Sequence, residues 1–230
     1  MGPKQRLLVG LALGCVIAIL LSILACLRYG PTAGQAGSDE VDEVYEVYSA
    51  AIQDLFLKGP YKFKIPDDLD ERLVVIQDHT IPCEWEAIAE PYKRTHEWPK
   101  LGLTIDDGTL EDFKLRCKYS VSLEPRFTFP AQKDPTTRYY IVPARQVVIS
   151  DDDFKDSFRD GPDWNGFYAR YPNSIGYIKL SQVGFNSEHD QAFLYVMKEC
   201  GNRCGQGYYV FAAKIGSAWS IVFIDGLWIA

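Results

Sequence analysis

Asp78-His79 and Glu188-His189-Asp190 each set a histidine beside carboxylates. An imidazole with a carboxylate partner is half of an acid–base pair, because its charge changes near neutral pH. Asp78-His79 closes a β-branched run, Leu73 to Ile81 (LVVIQDHTI), that reads as a strand. Successive strand side chains point to opposite faces, so Asp78 and His79 are not expected to touch. His189 falls in a polar turn, where an exposed histidine is ordinary. Both read as structural histidines, and His79 is kept as the candidate for chemistry in the concavity of a sheet.

Other chemistry-bearing patterns fail at single residues. His96-Glu97-Trp98-Pro99-Lys100 begins like a zinc-protease helix, but Lys100 stands where the second histidine must be and Pro99 would break the helix. Gly205-x-Gly207 lacks the third glycine of a dinucleotide loop and runs into strand residues Tyr208-Tyr209-Val210. Asp106-Asp107-Gly108 has too few alternating oxygens for a calcium loop and reads as a turn. Asp151 to Asp153 splay around a helix start rather than converge on a metal, so they read as part of a cap. No catalytic residue, metal ligand or cofactor is assigned. Tyr168, Tyr171, Tyr208 and Trp228, with His79, form a candidate pocket lining that has polar tips on an apolar wall, the plainer reading being core.

These residues need elements to position them. The chain has 230 residues, 47% hydrophobic and 24% charged, enough for a folded core and unlike a disordered or low-complexity polymer. Lys and Arg number 24 against 31 Asp and Glu, so a nucleic-acid surface is excluded as a partner. Leu7 to Leu27 is a run of 21 residues without a charge, and about 20 suffice to cross a bilayer as a helix. Lys4 and Arg6 precede it and Asp39, Glu40, Asp42 and Glu43 follow, which places the N-terminus in the cytoplasm and exports the rest. The organisation expected is therefore a cytoplasmic tip and transmembrane anchor at 1–28, a flexible tether at 29–38, and an exported domain at 39–230. A cleaved signal peptide and a lipoprotein anchored at Cys26 are the alternatives, and both export the same domain. Residues 1–28 hold three basic and no acidic side chains, which leaves 21 basic against 31 acidic in the exported part.

Within that part, Asp39 to Leu57 carries Val41, Val44, Tyr45, Tyr48, Ile52, Leu55 and Phe56 at helical spacing and stops at Gly59-Pro60. Thr109 to Asp112 is expected to cap a short helix reaching Cys117, and Ser150 to Asp153 a second. Tyr139 to Ile149 reads as a strand that Pro143 places at an edge or bulge. Strands follow at Gly176–Phe185, Gln191–Lys198, Gly207–Lys214, Ala218–Ile224 and Leu227–Ile229, with turns at Gly216-Ser217 and Asp225-Gly226. The fold class expected is α+β, with helices packed on one face of a curved antiparallel sheet that ends in a β-meander.

The segment Phe167-Tyr168-x-x-Tyr171-Pro172-x-Ser174-x-Gly176, with Ser181-x-Val183-Gly184-Phe185-Asn186, Gln191-Ala192, Cys200-Gly201-x-x-Cys204-Gly205-x-Gly207-Tyr208-Tyr209-Val210, Trp219 and Trp228-Ile229, resembles the C-terminal block of a family of bacterial envelope proteins. The resemblance implies a bacterial source and export, and it transfers no catalytic residue because no activity is established for that family. The function expected is a non-catalytic envelope module in the bacterial inner membrane, anchored through Leu7 to Leu27, that binds an envelope protein or a small apolar ligand. A small-molecule hydrolase or isomerase-like enzyme using His79 is the alternative.

Export bears on the cysteines. Cys15 and Cys26 lie in the apolar span, which leaves Cys83, Cys117, Cys200 and Cys204 in an oxidising compartment. Cys200 and Cys204 flank a glycine-rich connection between strands and are expected to form a disulfide, against zinc ligation, a redox pair or free thiols. Pairing of Cys83 with Cys117 is left open.

Overall fold

A computed structural model describes residues 38–60, 71–83, 104–130, 132–133, 139–159, 161 and 163–229. The Leu7–Leu27 span, the tether up to Gly37 and the His96–Lys100 segment lie outside the described residues. Two compact units are distinguished, Met1–Val41 and Asp42–Ala230, and the packing below belongs to the second. Among the described residues no helix is long and apolar enough to cross a membrane.

Helix α1 (Ser38–Ile52) runs into a single π-helical turn, Gln53–Leu57, and then into strand β1 (Lys58–Pro60). Tyr45, Tyr48, Ala51 and Ile52 recur at helical spacing and are buried. Strands β2 (Arg72–Gln77), β5 (Ala144–Ile149), β6 (Ser174–Leu180), β8 (Gln191–Glu199), β9 (Gly205–Ile215) and β10 (Ala218–Ile229) form the main sheet in the order β10-β9-β8-β6-β2-β5, with β7 (Gly184–Phe185) also paired to β8. A small antiparallel sheet joins β1 to β4 (Tyr139–Ile141) and β4 to β3 (Gln132–Lys133).

The fold is α+β, as its sequence suggests, but the sheet is mixed. β2 pairs parallel with both β5 and β6, whereas β6, β8, β9 and β10 pair antiparallel. Parallel neighbours need crossover connections, and α3 (Asp151–Asp156) and α4 (Asn165–Arg170) supply one, carrying the chain from β5 across β2 to β6. The Tyr139–Ile149 stretch is not one strand. It breaks at Val142-Pro143, where the Pro143 carbonyl accepts from the Arg72 amide at 2.9 Å, and its second half is the edge strand β5. The turn expected at Asp225-Gly226 does not form: β10 continues through it opposite Tyr209 and Tyr208, with a bulge between Gly226 and Trp228.

Helices cover both faces rather than one. Along β8, Phe193 and Tyr195 point toward α2 (Asp107–Arg116), whose Phe113 ring lies 5.0 Å from that of Phe193. Ala192, Leu194 and Val196 alternate with them and are fully buried too, so the opposite face has its own cover. That cover is α1 with its π turn. Lys198 and Lys214 project from the Leu194 side by register, the first over the Phe56 ring and the second to the Glu43 carboxylate. α3 and α4 pack on the α2 side, where Phe154, Phe167 and Tyr171 meet Leu73, Val75, Ile149 and Tyr177.

Two caps differ in how the chain predicts them. Ser150 caps α3 as expected: its Oγ accepts from the Asp153 amide at 3.1 Å and donates to the Asp153 carboxylate at 2.8 Å. α2 is capped by Asp106, whose carboxylate accepts from the Gly108 amide at 2.6 Å, and not by Thr109. Asp106-Asp107-Gly108 is therefore a helix start rather than a free turn, and Thr109 is buried inside the first turn.

Candidate functional site

The parallel strands β2, β5 and β6 end at Gln77, Ile149 and Leu180, and each is followed by polar residues: Asp78-His79, Ser150-Asp151 and Ser181. The carboxyl ends of parallel strands are where open α/β sheets gather ligands. Here they gather His79. Its Nδ1 lies 2.5 Å from Asp78 Oδ1, its Nε2 lies 2.8 Å from the Gln77 amide nitrogen, and Asp151 Oδ2 is 3.7 Å from the same Nε2.

The Asp78–His79 contact overturns the expectation that the two do not touch. The β2 ladder stops at Gln77, and the chain changes partners there. The Asp78 amide still donates to Ile149 at 2.9 Å, but its carbonyl accepts from Leu123 at 2.7 Å and the Thr80 amide donates to Val121 at 2.8 Å. His79 forms an isolated bridge to Ser122. Side-chain alternation holds within a ladder and not at such a switch.

The orientation of the Gln77 amide sets the tautomer of His79. An amide NH2 only donates, so Nε2 accepts from Gln77, and Nδ1 carries the hydrogen given to Asp78. Gln77 is 3% exposed, and its Oε1 has no partner among the described residues. The rest of the cluster is open to solvent, with His79 36%, Asp78 42% and Asp151 43% exposed. Asp151 also accepts from the Tyr177 hydroxyl at 3.2 Å. Burial and the nearby Asp151 charge push that hydroxyl far above the usual tyrosine range, so it is a donor at any ordinary pH. Phe154 stacks on the Tyr177 ring at 4.1 Å, and Lys179 beside it is held by Glu199 at 2.8 Å. The Ser150 hydroxyl, next in sequence to Asp151, is spent on the α3 cap. The arrangement can hold a proton and orient donors, and among the described residues no hydroxyl or thiol is hydrogen-bonded to His79.

Asp152 and Asp153 turn away from this cluster, toward Lys155 and toward Ser150 and Arg170. Among the described residues no group of three or more His, Cys, Asp or Glu side chains is placed to hold a metal.

The other sequence candidates are scattered. Tyr168 donates its hydroxyl to the Cys200 carbonyl at 2.9 Å, and Tyr171 packs 5.1 Å from Phe167, both in the α3–α4 layer. Trp228 lies opposite Gly207 and donates from Nε1 to the Tyr195 hydroxyl at 3.0 Å, on the α2 side. Tyr208 lies opposite Val196 on the α1 side, its ring 6.1 Å from Phe56. Tyr208 and Trp228 thus sit on opposite faces of the sheet. His189 is held by Glu43 at 2.9 Å and stacks on Phe185 at 5.1 Å, while its sequence neighbour Asp190 accepts from Asn186 at 2.6 Å. Gln77 and Tyr177 carry no site signal in the sequence, and Asp151 reads there only as part of a cap. The signal available was the polar residue directly after each β-branched strand, which becomes meaningful only once those strands are known to be parallel.

Both cysteine pairs are bridged. Cys200 and Cys204 stand 5.0 Å apart at Cα, and the Cys200 amide donates to the Cys204 carbonyl at 2.7 Å, closing the β8–β9 connection. Cys83 and Cys117, 5.4 Å apart at Cα, join the segment after His79 to the end of α2.

No protein-family model matches the chain, and no curated protein or solved structure does either.

Proposed function

We propose that the protein is a membrane-anchored bacterial envelope protein whose exported part is a non-catalytic binding or interaction module. The observation that carries the non-catalytic reading is that both ring nitrogens of His79 lie against neighbours inside the fold, Nδ1 at 2.5 Å from Asp78 and Nε2 at 2.8 Å from Gln77. A general base needs a lone pair facing its substrate. Export is supported by the uncharged Leu7–Leu27 run behind Lys4 and Arg6 and by two disulfides, which persist in oxidising compartments. Membership of the envelope family that the C-terminal block resembles belongs to the same proposal. The block's residues have structural work: Gly176 has φ +113° and lies against the Glu199 carbonyl, Gly207 lies beneath the Trp228 indole, and the Asn186 side chain accepts from the Gln191 amide at 3.0 Å.

One observation favours the enzyme reading, the 2.5 Å contact between His79 and Asp78. The test separates the two. In cells where deletion of the gene gives a phenotype, His79→Ala is expected to restore function as wild type does. Loss of that function with an unchanged melting temperature would establish chemistry at His79. The topology is tested by adding protease to spheroplasts, which is expected to digest the chain after Arg28, and full protection would overturn it.

A further inference from the structure

Lys198 stands near the end of β8 on the face that α1 covers. Register sets Gln206 of β9 on one side of it and Ile178 of β6 on the other. Its ammonium lies 4.7 Å from the centroid of the Phe56 ring, which the π-helical turn at Gln53–Leu57 delivers to this spot. Tyr208, two residues past Gln206 and on the same face, brings its ring within 6.1 Å of Phe56.

What distinguishes Lys198 is that it is partly buried with no carboxylate partner among the described residues. Lys58, Lys114, Lys155, Lys179 and Lys214 each hold a carboxylate. Lys198 is partly buried, and among the described residues an aromatic face stands where a carboxylate would be. Its neighbour Glu199 points to the other face and is taken by Lys179. Acidic residues outnumber basic ones in this chain, so a shortage of carboxylates is not the reason. Burial draws the Lys198 ammonium below the usual lysine range, a cost that an incoming anion would relieve. Gln206 adds a second donor: its Oε1 accepts from the Tyr208 hydroxyl at 2.8 Å, which leaves the amide NH2 beside Lys198.

We propose that Lys198 and Gln206, walled by Phe56 and Tyr208, form a binding site for a small organic carboxylate with an apolar body. The carboxylate takes the ammonium as a charge-assisted partner and an amide hydrogen from Gln206, and the apolar body lies against the two rings. The site is on the face opposite the Trp228 side chain, and it uses no residue of the His79 cluster. The proposal rests on the binding-module reading and names a ligand class for it.

Benzoate is the probe, titrated by NMR into the full chain in nonionic micelles, with neutral benzamide as its isostere. Wild type is expected to bind benzoate saturably, K198M to bind it at least about tenfold more weakly, and K198R to stay within about threefold of wild type. Benzamide is expected to bind at least about tenfold more weakly than benzoate. K198M removes a charge that burial penalises, so its melting temperature should equal or exceed that of wild type, which separates lost binding from lost folding. Absence of saturable benzoate binding by wild type, or equal affinity in K198M, would overturn the proposal. H79A is expected to bind benzoate as wild type does, so failure here leaves the His79 test of the module reading standing on its own.

Discussion

The hydroxyl of Tyr48, on α1, donates a 2.7 Å hydrogen bond to the carbonyl of Ser181, in the interval between β6 and β7. Ser181 is where the ladder against β8 is interrupted. Its amide donates to the Tyr195 carbonyl at 3.0 Å, its Oγ accepts from the Tyr195 amide at 2.8 Å, and its Oγ donates to the Gln182 carbonyl at 2.8 Å. The remaining polar group, the Ser181 carbonyl, is satisfied from the helix layer. Tyr48 is 1% exposed, and burial pushes its hydroxyl far above the usual tyrosine range, so the donor persists across accessible pH.

Tyr48→Phe keeps the ring and removes this donor, leaving a buried carbonyl unpaired. The expected cost is about 1–2 kcal/mol, read as a lower urea midpoint with an unchanged m-value. No change in midpoint would show that the bond contributes nothing to the seat of α1.

Much of the fold is legible in the sequence, for local reasons. The α1 stripe, the Ser150 cap, the Gly216-Ser217 turn and the short Cys200–Cys204 bridge are set by residues a few positions apart. What was not legible depends on distant partners. β2 pairs with strands that begin at Ala144 and Ser174, and nothing near Leu73 fixes whether those pairings are parallel. Gly226 resembles a turn residue but stands in a strand, with the Tyr208 ring at an ordinary 3.8 Å from where a Cβ would be. The site was half legible. The sequence points to His79 but does not join Asp78, Gln77 or Asp151 to it, because the ladder's end at Gln77 and the approach of the β5 end are both tertiary facts.

The two disulfides are expected to differ in worth. Cys83 and Cys117 are separated by 34 positions and Cys200 and Cys204 by four. In the chain-entropy account the longer loop contributes about 4 kcal/mol and the shorter about 2 kcal/mol. C83A/C117A should therefore lower the denaturant midpoint by more than C200A/C204A, the more so because Cys117 is fully buried beside Phe113. The reverse order would show that the long loop is already constrained in the unfolded chain.

Glu43 gives an acid-dependent latch between α1 and the β8–β9 side of the sheet. Burial alone would raise its carboxyl, but hydrogen bonds and charge from Lys214 and His189 outweigh burial and hold it below the usual value of 4.5. A depressed folded-state value means stability present above pH 4.5 and lost as pH falls through the lower folded value. Glu43→Gln should lose about 1.5–3 kcal/mol at pH 7 and show a shallower loss than wild type on acidification. Parallel curves for the two proteins would remove Glu43 from the acid response.

The binding-module reading depends most on His79 having both ring nitrogens engaged inside the fold, and 15N NMR of the ring measures this directly. The expected result is hydrogen on Nδ1, given to Asp78, and a bare Nε2 that accepts from the Gln77 amide. A ring with hydrogen on Nε2 and a bare Nδ1, or an Nε2 lone pair exposed to water with no bond to Gln77, would contradict it and return His79 to the role of a base.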